Sequence, residues 1–175
     1  ASAAPVWRAA GAGTTGNMGT ARINHSVTLL PSGKVLVAGG MSPHPTMTAT
    51  TEIYDPATGT WTPAASMGRV RSGHSAVLLR NGKVMVLGGQ GAGVSTTETY
   101  DPEAGAWSPV ETLPYTTYGS AFVMLPNGKA LLAGGYNNGY LTEARLYDPD
   151  ANGGAGAWSA PKTMPVGWSS GSAAI

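Results

Sequence analysis

The chain has 175 residues, a formal charge of +1 and no cysteine, with Gly 26 and Pro 13 against only 11% charged residues. Many turns follow from that composition, and long surface helices laced with ion pairs do not. The near-neutral charge lacks the footprint of a nucleic-acid binder, and no run of about 18 apolar residues offers a membrane-spanning helix. At 42% hydrophobic the chain is too apolar to stay disordered. The missing cysteine removes disulfides, thiolate metal sites and a cysteine nucleophile.

In chain order, Ala1-Ser2-Ala3-Ala4-Pro5 has the small residues that follow a signal-peptidase cut, which points to an extracellular or periplasmic protein. Residues 1–18 carry Trp7 and read as the last strand of a preceding unit. Three similar units follow, at 19–66, 67–112 and 113–164. The first runs from Asn24-His25-Ser26-Val27-Thr28-Leu29-Leu30 through the turn Pro31-Ser32-Gly33 to Lys34-Val35-Leu36-Val37-Ala38-Gly39-Gly40. The second runs from Gly73-His74-Ser75-Ala76-Val77-Leu78-Leu79 through Arg80-Asn81-Gly82 to Gly88-Gly89, and the third from Tyr118-Gly119-Ser120-Ala121-Phe122-Val123-Met124 through Pro126-Asn127-Gly128 to Gly134-Gly135. Each continues with Thr-Glu (Thr51-Glu52, Thr97-Glu98, Thr142-Glu143), then Tyr-Asp-Pro at Tyr54, Tyr100 and Tyr147, then Trp61, Trp107 or Trp158. The third unit has two residues more between its Glu and its Tyr. Residues 165–175 match the first strand of another unit.

Each unit reads as four short strands. The first strand alternates, with Val27 and Leu29 on one face, as a half-buried strand does. The second is apolar on both faces, which predicts cover on each side. The Gly-Gly pair that follows allows close approach of neighbouring backbone, and Asp-Pro stops the third strand.

Units of about 50 residues with Gly-Gly, Glu-x-Tyr-Asp-Pro and a spaced Trp resemble kelch repeats, here of the bacterial and often secreted kind. The resemblance implies an all-β propeller in which each unit is one four-stranded blade around a central channel. Three blades with an added strand at either end would not close a ring. The chain is therefore expected either to be part of a six- or seven-bladed protein or to self-associate so that two copies complete the ring. In kelch propellers the face that carries the inter-blade loops and the loops between second and third strands usually binds the partner, so a protein or a glycan is expected there.

On that face Arg22, Asn24, Arg69 and Arg71 supply donors. Tyr115, Tyr118, Tyr136, Tyr140 and Trp168 supply aromatic platforms, and Asn137 and Asn138 supply amides. Aromatic and amide groups together suit a carbohydrate or a peptide. The resemblance also gives the arginines a framework role, neutralising Glu52 and Glu98, and leaves Glu143 to Arg145, water or a neighbouring blade. His25 and His74 share one repeat position and read as framework hydrogen-bonders, while His44 lies in a loop. Lys34, Lys83 and Lys129 read as solvated charges on the opposite face.

No residue nominates itself as acid, base, nucleophile or metal ligand, and no cofactor, nucleic-acid or membrane partner is expected. Gly11-Ala12-Gly13-Thr14-Thr15-Gly16 fits a dinucleotide pattern but lacks the strand before it and the helix after it. Copper radical oxidases share the kelch-type propeller, but their cofactor needs a Cys crosslinked to a Tyr, which this chain cannot supply. A non-catalytic binding module is the expected function. The alternatives are an extracellular lectin-like propeller and part of an enzyme whose catalytic residues lie in other blades.

Overall fold

The computed structural model describes residues 16–91, 94–110 and 112–169. The end strands expected at 1–18 and 165–175 fall, with Trp7, largely outside those residues.

Three antiparallel four-stranded sheets follow one another along the chain, each built in simple sequential order. The first blade holds β1 (Ser26–Leu29), β2 (Val35–Ala38), β3 (Thr51–Asp55) and β4 (Thr60–Ala64). The second holds β5 (Ser75–Leu78), β6 (Val84–Leu87), β7 (Thr97–Asp101) and β8 (Ala106–Val110). The third holds β9 (Ala121–Met124), β10 (Ala130–Ala133) and β11 (Glu143–Asp148), with its last strand split into β12 (Ala157–Trp158) and β13 (Lys162–Thr163). The split has a simple cause. Tyr147 faces Trp158 but Ala144 faces Lys162, so this edge carries one residue more than the first blade, where Tyr54 faces Trp61 and Thr51 faces Ala64.

Cores form between blades. Leu30, Leu36 and Ile53 of the first blade pack on Ala76, Leu78, Val84, Tyr100 and Trp107 of the second. Leu79, Met85 and Leu113 meet Phe122, Leu132, Tyr147 and Trp158 across the next boundary. The all-apolar second strands are covered on both faces as their sequence requires, with Val84, Met85, Val86 and Leu87 all buried. Each such side chain contributes about 1.5–3 kcal/mol relative to exposure. The Tyr and Trp of every unit stack in the same tilted pair, 4.9 Å between centroids in the first blade and 5.2 Å in the other two.

Three expectations need correction. On β1 the alternation is real but its apolar side faces out, with Val27 61% and Leu29 63% exposed while Thr28 is buried. Their counterparts Ala76, Leu78, Phe122 and Met124 pack on the blade before them, whereas no described blade stands in front of β1. The third repeat is shifted by one residue at its start: Ala121 pairs with Ala133 as Ser26 pairs with Ala38, so Gly119, not Tyr118, corresponds to Asn24 and Gly73. The backbone agrees, since Asn24, Gly73 and Gly119 share φ of 54°, 64° and 64°. The third correction concerns the Thr-Glu pair. Arg145 lies opposite Leu132, where Glu52 lies opposite Val37 and Glu98 opposite Val86. Glu143 therefore occupies the place of Thr50 and Thr96, and the two extra residues assigned to the third unit disappear. Lys34, Lys83 and Lys129 are half-exposed, as solvated charges are, and each also has an acidic partner. They bridge to Asp55, Asp101 and Asp148 at 3.1, 3.1 and 2.8 Å. These pairs are half-exposed and each contributes little.

Candidate functional site: the loop face

Two kinds of loop meet on one face because the Gly-Gly pairs let them. Gly40 N–H donates to the Arg71 carbonyl, Gly89 N–H to that of Thr117 and Gly135 N–H to that of Trp168, each at 2.7 Å. These bonds clip each blade's second strand to the inter-blade loop that follows it. Arg22, Arg71, Thr117 and Trp168 therefore hold one equivalent position, and its side chain is read differently in each blade.

In the first two blades that side chain is an arginine buried in the framework. Arg22 donates to the carbonyls of Gly39 at 2.9 Å and Thr50 at 2.8 Å and pairs with Glu52 at 2.6 Å. Arg71 repeats the pattern with Gly88 at 3.1 Å, Thr96 at 2.7 Å and Glu98 at 2.9 Å. The second carboxylate oxygen accepts a backbone N–H, from Gly19 at 2.7 Å and from Gly68 at 2.5 Å. Burial lowers the Arg71 pKa, and the Glu98 carboxylate opposes that shift. Both arginines are thus spent inside their blades.

The third blade abandons this device. Thr117 replaces the arginine, and its hydroxyl bonds that of Ser120 at 2.6 Å. Pro114 stands where Gly19 and Gly68 donate, so that N–H is lost as well. The strand position that held Glu now holds Arg145, which pairs with Glu143 and donates to the Ser159 carbonyl at 3.3 Å. Its guanidinium lies 6.0 Å from the centre of the Tyr115 ring. Burial, reinforced by the adjacent Glu143 carboxylate, pushes the Tyr115 hydroxyl up to about 12. Tyr115 is therefore tied into an ion-pair cluster and is not a free platform.

With Thr117 turned inward, the space beside it is open. A cavity of about 340 Å³ lies between the second and third blades, lined by Gln90, Val94, Thr117, Tyr118, Tyr136 and Asn137 among others. Tyr118 and Tyr136 form a backbone bridge with N–H···O distances of 2.9 and 3.3 Å. Their rings meet edge to face at 5.6 Å, and Tyr136 meets Tyr140 in the same manner at 5.7 Å. Asn138, at φ 53°, and Gly139 turn the loop so that Asn137 and Asn138 stay exposed at the cavity rim. Tyr140 is 67% exposed beside them.

The structure thus sorts the eleven candidates. Tyr118, Tyr136, Asn137 and Asn138 line this cavity, and Tyr140 adjoins it. Arg22 and Arg71 are framework, and Asn24 is exposed at the turn that Gly73 and Gly119 also make. Arg69 is exposed at a separate cavity of about 410 Å³ with Trp107 and Glu98. The Trp168 indole packs on Gly134. Gln90 and Val94 line the site without having been singled out. Gln90 carried a readable signal, since it follows Gly-Gly directly, as Tyr136 does. Among the described residues no three His, Asp or Glu side chains stand close enough to hold a metal ion.

His74 links the blades below this site. Its Nε2 and the Ser26 hydroxyl are 2.8 Å apart, across the boundary between first and second blades. Burial, with Arg71 and His25 nearby, lowers its pKa to about 3. The unfolded chain takes up this proton near pH 6.5, so the neutral form stabilises the fold fully above that value and progressively less as pH falls towards 3. Urea unfolding between pH 7 and 5 should show stability falling at up to about 1.4 kcal/mol per unit. In His74→Gln the slope should be shallower.

The Kelch motif pattern matches residues 24–68 and 71–114, just over half of the chain. No curated protein matches the sequence. Among solved structures the chain is similar to that entitled "Structure of YjhT", with a TM-score of 0.72 at 20% identity over 86% of this chain. The match spans 55% of the YjhT chain, so the present chain corresponds to about half of that length. Two motif matches in register with two of the three observed sheets, and a shared propeller fold, establish that the chain belongs to the kelch-repeat family.

Proposed function

We propose that the chain is a non-catalytic binding module, acting outside the cytoplasm, whose loop face holds a neutral glycan in the cavity between the second and third blades. One observation carries this reading: the described lining is tyrosine, amide, hydroxyl, glycine and a single valine, with no charged side chain. Tyrosine rings offer apolar faces to sugar C–H groups, and Asn and Gln amides pair both donors and acceptors with hydroxyls. About 340 Å³ is at the small end of ligand pockets and suits one or two sugar rings. A protein partner is the second reading, favoured by Tyr140 and Val166, which are 67% and 71% exposed on adjoining loops.

An array of neutral and anionic glycans tests the first reading. Neutral oligosaccharides should be retained, and Tyr136→Ala should weaken binding at least about tenfold, or 1.4 kcal/mol. Retention of anionic glycans alone, or equal binding by Tyr136→Ala, would remove the cavity from the account.

A further inference from the structure

Both internal blade boundaries set the apolar leading face of one blade against the blade before it. The leading face of the second blade sets Ala76, Leu78 and Trp107 against Leu30, Leu36 and Ile53 of the first. Two directed bonds fix its register: His74 Nε2 with the Ser26 hydroxyl, and the Trp107 indole N–H to the Ala65 carbonyl, both 2.8 Å. Apolar packing alone tolerates sliding, whereas a buried polar bond is costly to misplace.

The first blade presents the same leading face with nothing described against it. His25 stands where His74 stands, Val27 and Leu29 where Ala76 and Leu78 stand, and Trp61 where Trp107 stands. Ile23, Val27 and Leu29 are 50%, 61% and 63% exposed. The His25 Nδ1 is buried without a partner, as is that of His74. The face is therefore continuous in design with two interfaces already formed inside the chain.

We propose that this face seats a further kelch-type blade that carries a serine or threonine at the position of Ser26, and that the seat does not fit a second copy of this chain's own third blade. The third blade has apolar residues at the matching trailing positions, Leu125, Leu131 and Leu146. At the hydroxyl position, however, it has Ala121, which pairs with Ala133 as Ser26 pairs with Ala38. A second copy docked head to tail would bury His25 against a methyl group. The second blade shows how the third manages without this bond: Ser120 replaces the histidine, and its carbonyl accepts the Ser75 hydroxyl at 2.8 Å. Only the leading side of that boundary differs, serine in place of histidine, while the trailing hydroxyl is Ser75 where the first boundary has Ser26. His25 keeps the histidine form and so calls for the partner that His74 has.

The test lengthens the full chain by one blade. A copy of residues 18–66 is inserted ahead of Met18, so that the junction Ser66-Met18 reproduces the native Ser66-Met67. Amide hydrogen exchange in β1 should slow at least tenfold, and a serine-to-alanine change at the inserted copy of Ser26 should reverse most of that protection. Ser26→Ala in the unmodified chain calibrates the effect, because there the same bond to His74 is lost and β5 should exchange faster. Unchanged exchange in β1, or equal protection by the serine and alanine forms, would overturn the proposal. So would a dimer of the unmodified chain, seen by sedimentation, that Val27→Asp disperses, since the third blade would then occupy the seat.

Discussion

Arg71→Ala is expected to destabilise the protein by about 3–5 kcal/mol. The substitution leaves the Glu98 carboxylate, only 5% exposed, without its counter-charge, and strands the carbonyls of Gly88 and Thr96. The pair's net worth is a different quantity. Replacing both Arg71 and Glu98 with apolar residues of similar volume should cost much less than the single change, because the desolvation of both charges is also removed. Arg145→Ala supplies the contrast. Its pair with Glu143 is partly exposed, with side chains 15% and 28% accessible, so a loss of about 1 kcal/mol or less is expected. Urea unfolding of the three variants measures all three differences, and equal losses for Arg71→Ala and Arg145→Ala would refute the division between framework and divergent blades.

Gly88→Ala is the second large effect. A methyl group there would lie far inside van der Waals contact of the Thr117 carbonyl, at a φ of +67°. Left-handed backbone alone costs an L-residue about 1–2 kcal/mol. The clash adds to this, because the next blade's loop must retreat and release the Gly89 bond to Thr117. A total above about 4 kcal/mol places it among the rare severe substitutions. Gly33→Ala is the control: its φ is +80° but nothing lies within 4 Å of the added carbon, so only the conformational cost of about 1–2 kcal/mol remains. Thermal or urea unfolding should separate the two by several-fold. Similar losses would mean that the Gly-Gly pair is needed for backbone conformation alone and not for the approach of adjacent blades.

Much of this was legible in the residues. Val84 to Leu87 announced a strand covered on both faces, and Tyr54-Asp55-Pro56 announced a strand end. Gly39-Gly40 announced a close approach, now seen in the bond from Gly40 to Arg71. That arginines would neutralise Glu52 and Glu98 came from the kelch resemblance, and the structure gives Glu98 to Arg71 and leaves Arg69 exposed. What could not be read was register and surroundings. Nothing in Thr142-Glu143 itself shows that this pair has moved two places along the strand, because only the partner across the ladder, Leu132 opposite Arg145, decides it. Val27 and Leu29 look like core residues in isolation, and their exposure depends on what stands before the blade, which no local pattern encodes. Trp168 looks like an open platform, yet it has taken the inward position of Arg71. Tyr136 and Asn137, by contrast, were legible because the loop between Gly135 and Leu141 departs from the repeat around it.

The most direct test of the account maps where a ligand sits. An isotope-labelled sample titrated with the neutral oligosaccharide that binds most tightly on the array should show amide shifts concentrated at Gln90, Thr116, Tyr118 and Tyr136 to Asn138. Shifts centred instead on the cavity of about 500 Å³ at the hairpin-turn face, lined by Leu30, Lys34, Asn81 and Lys83, would contradict it and move the binding site to the opposite side of the blades.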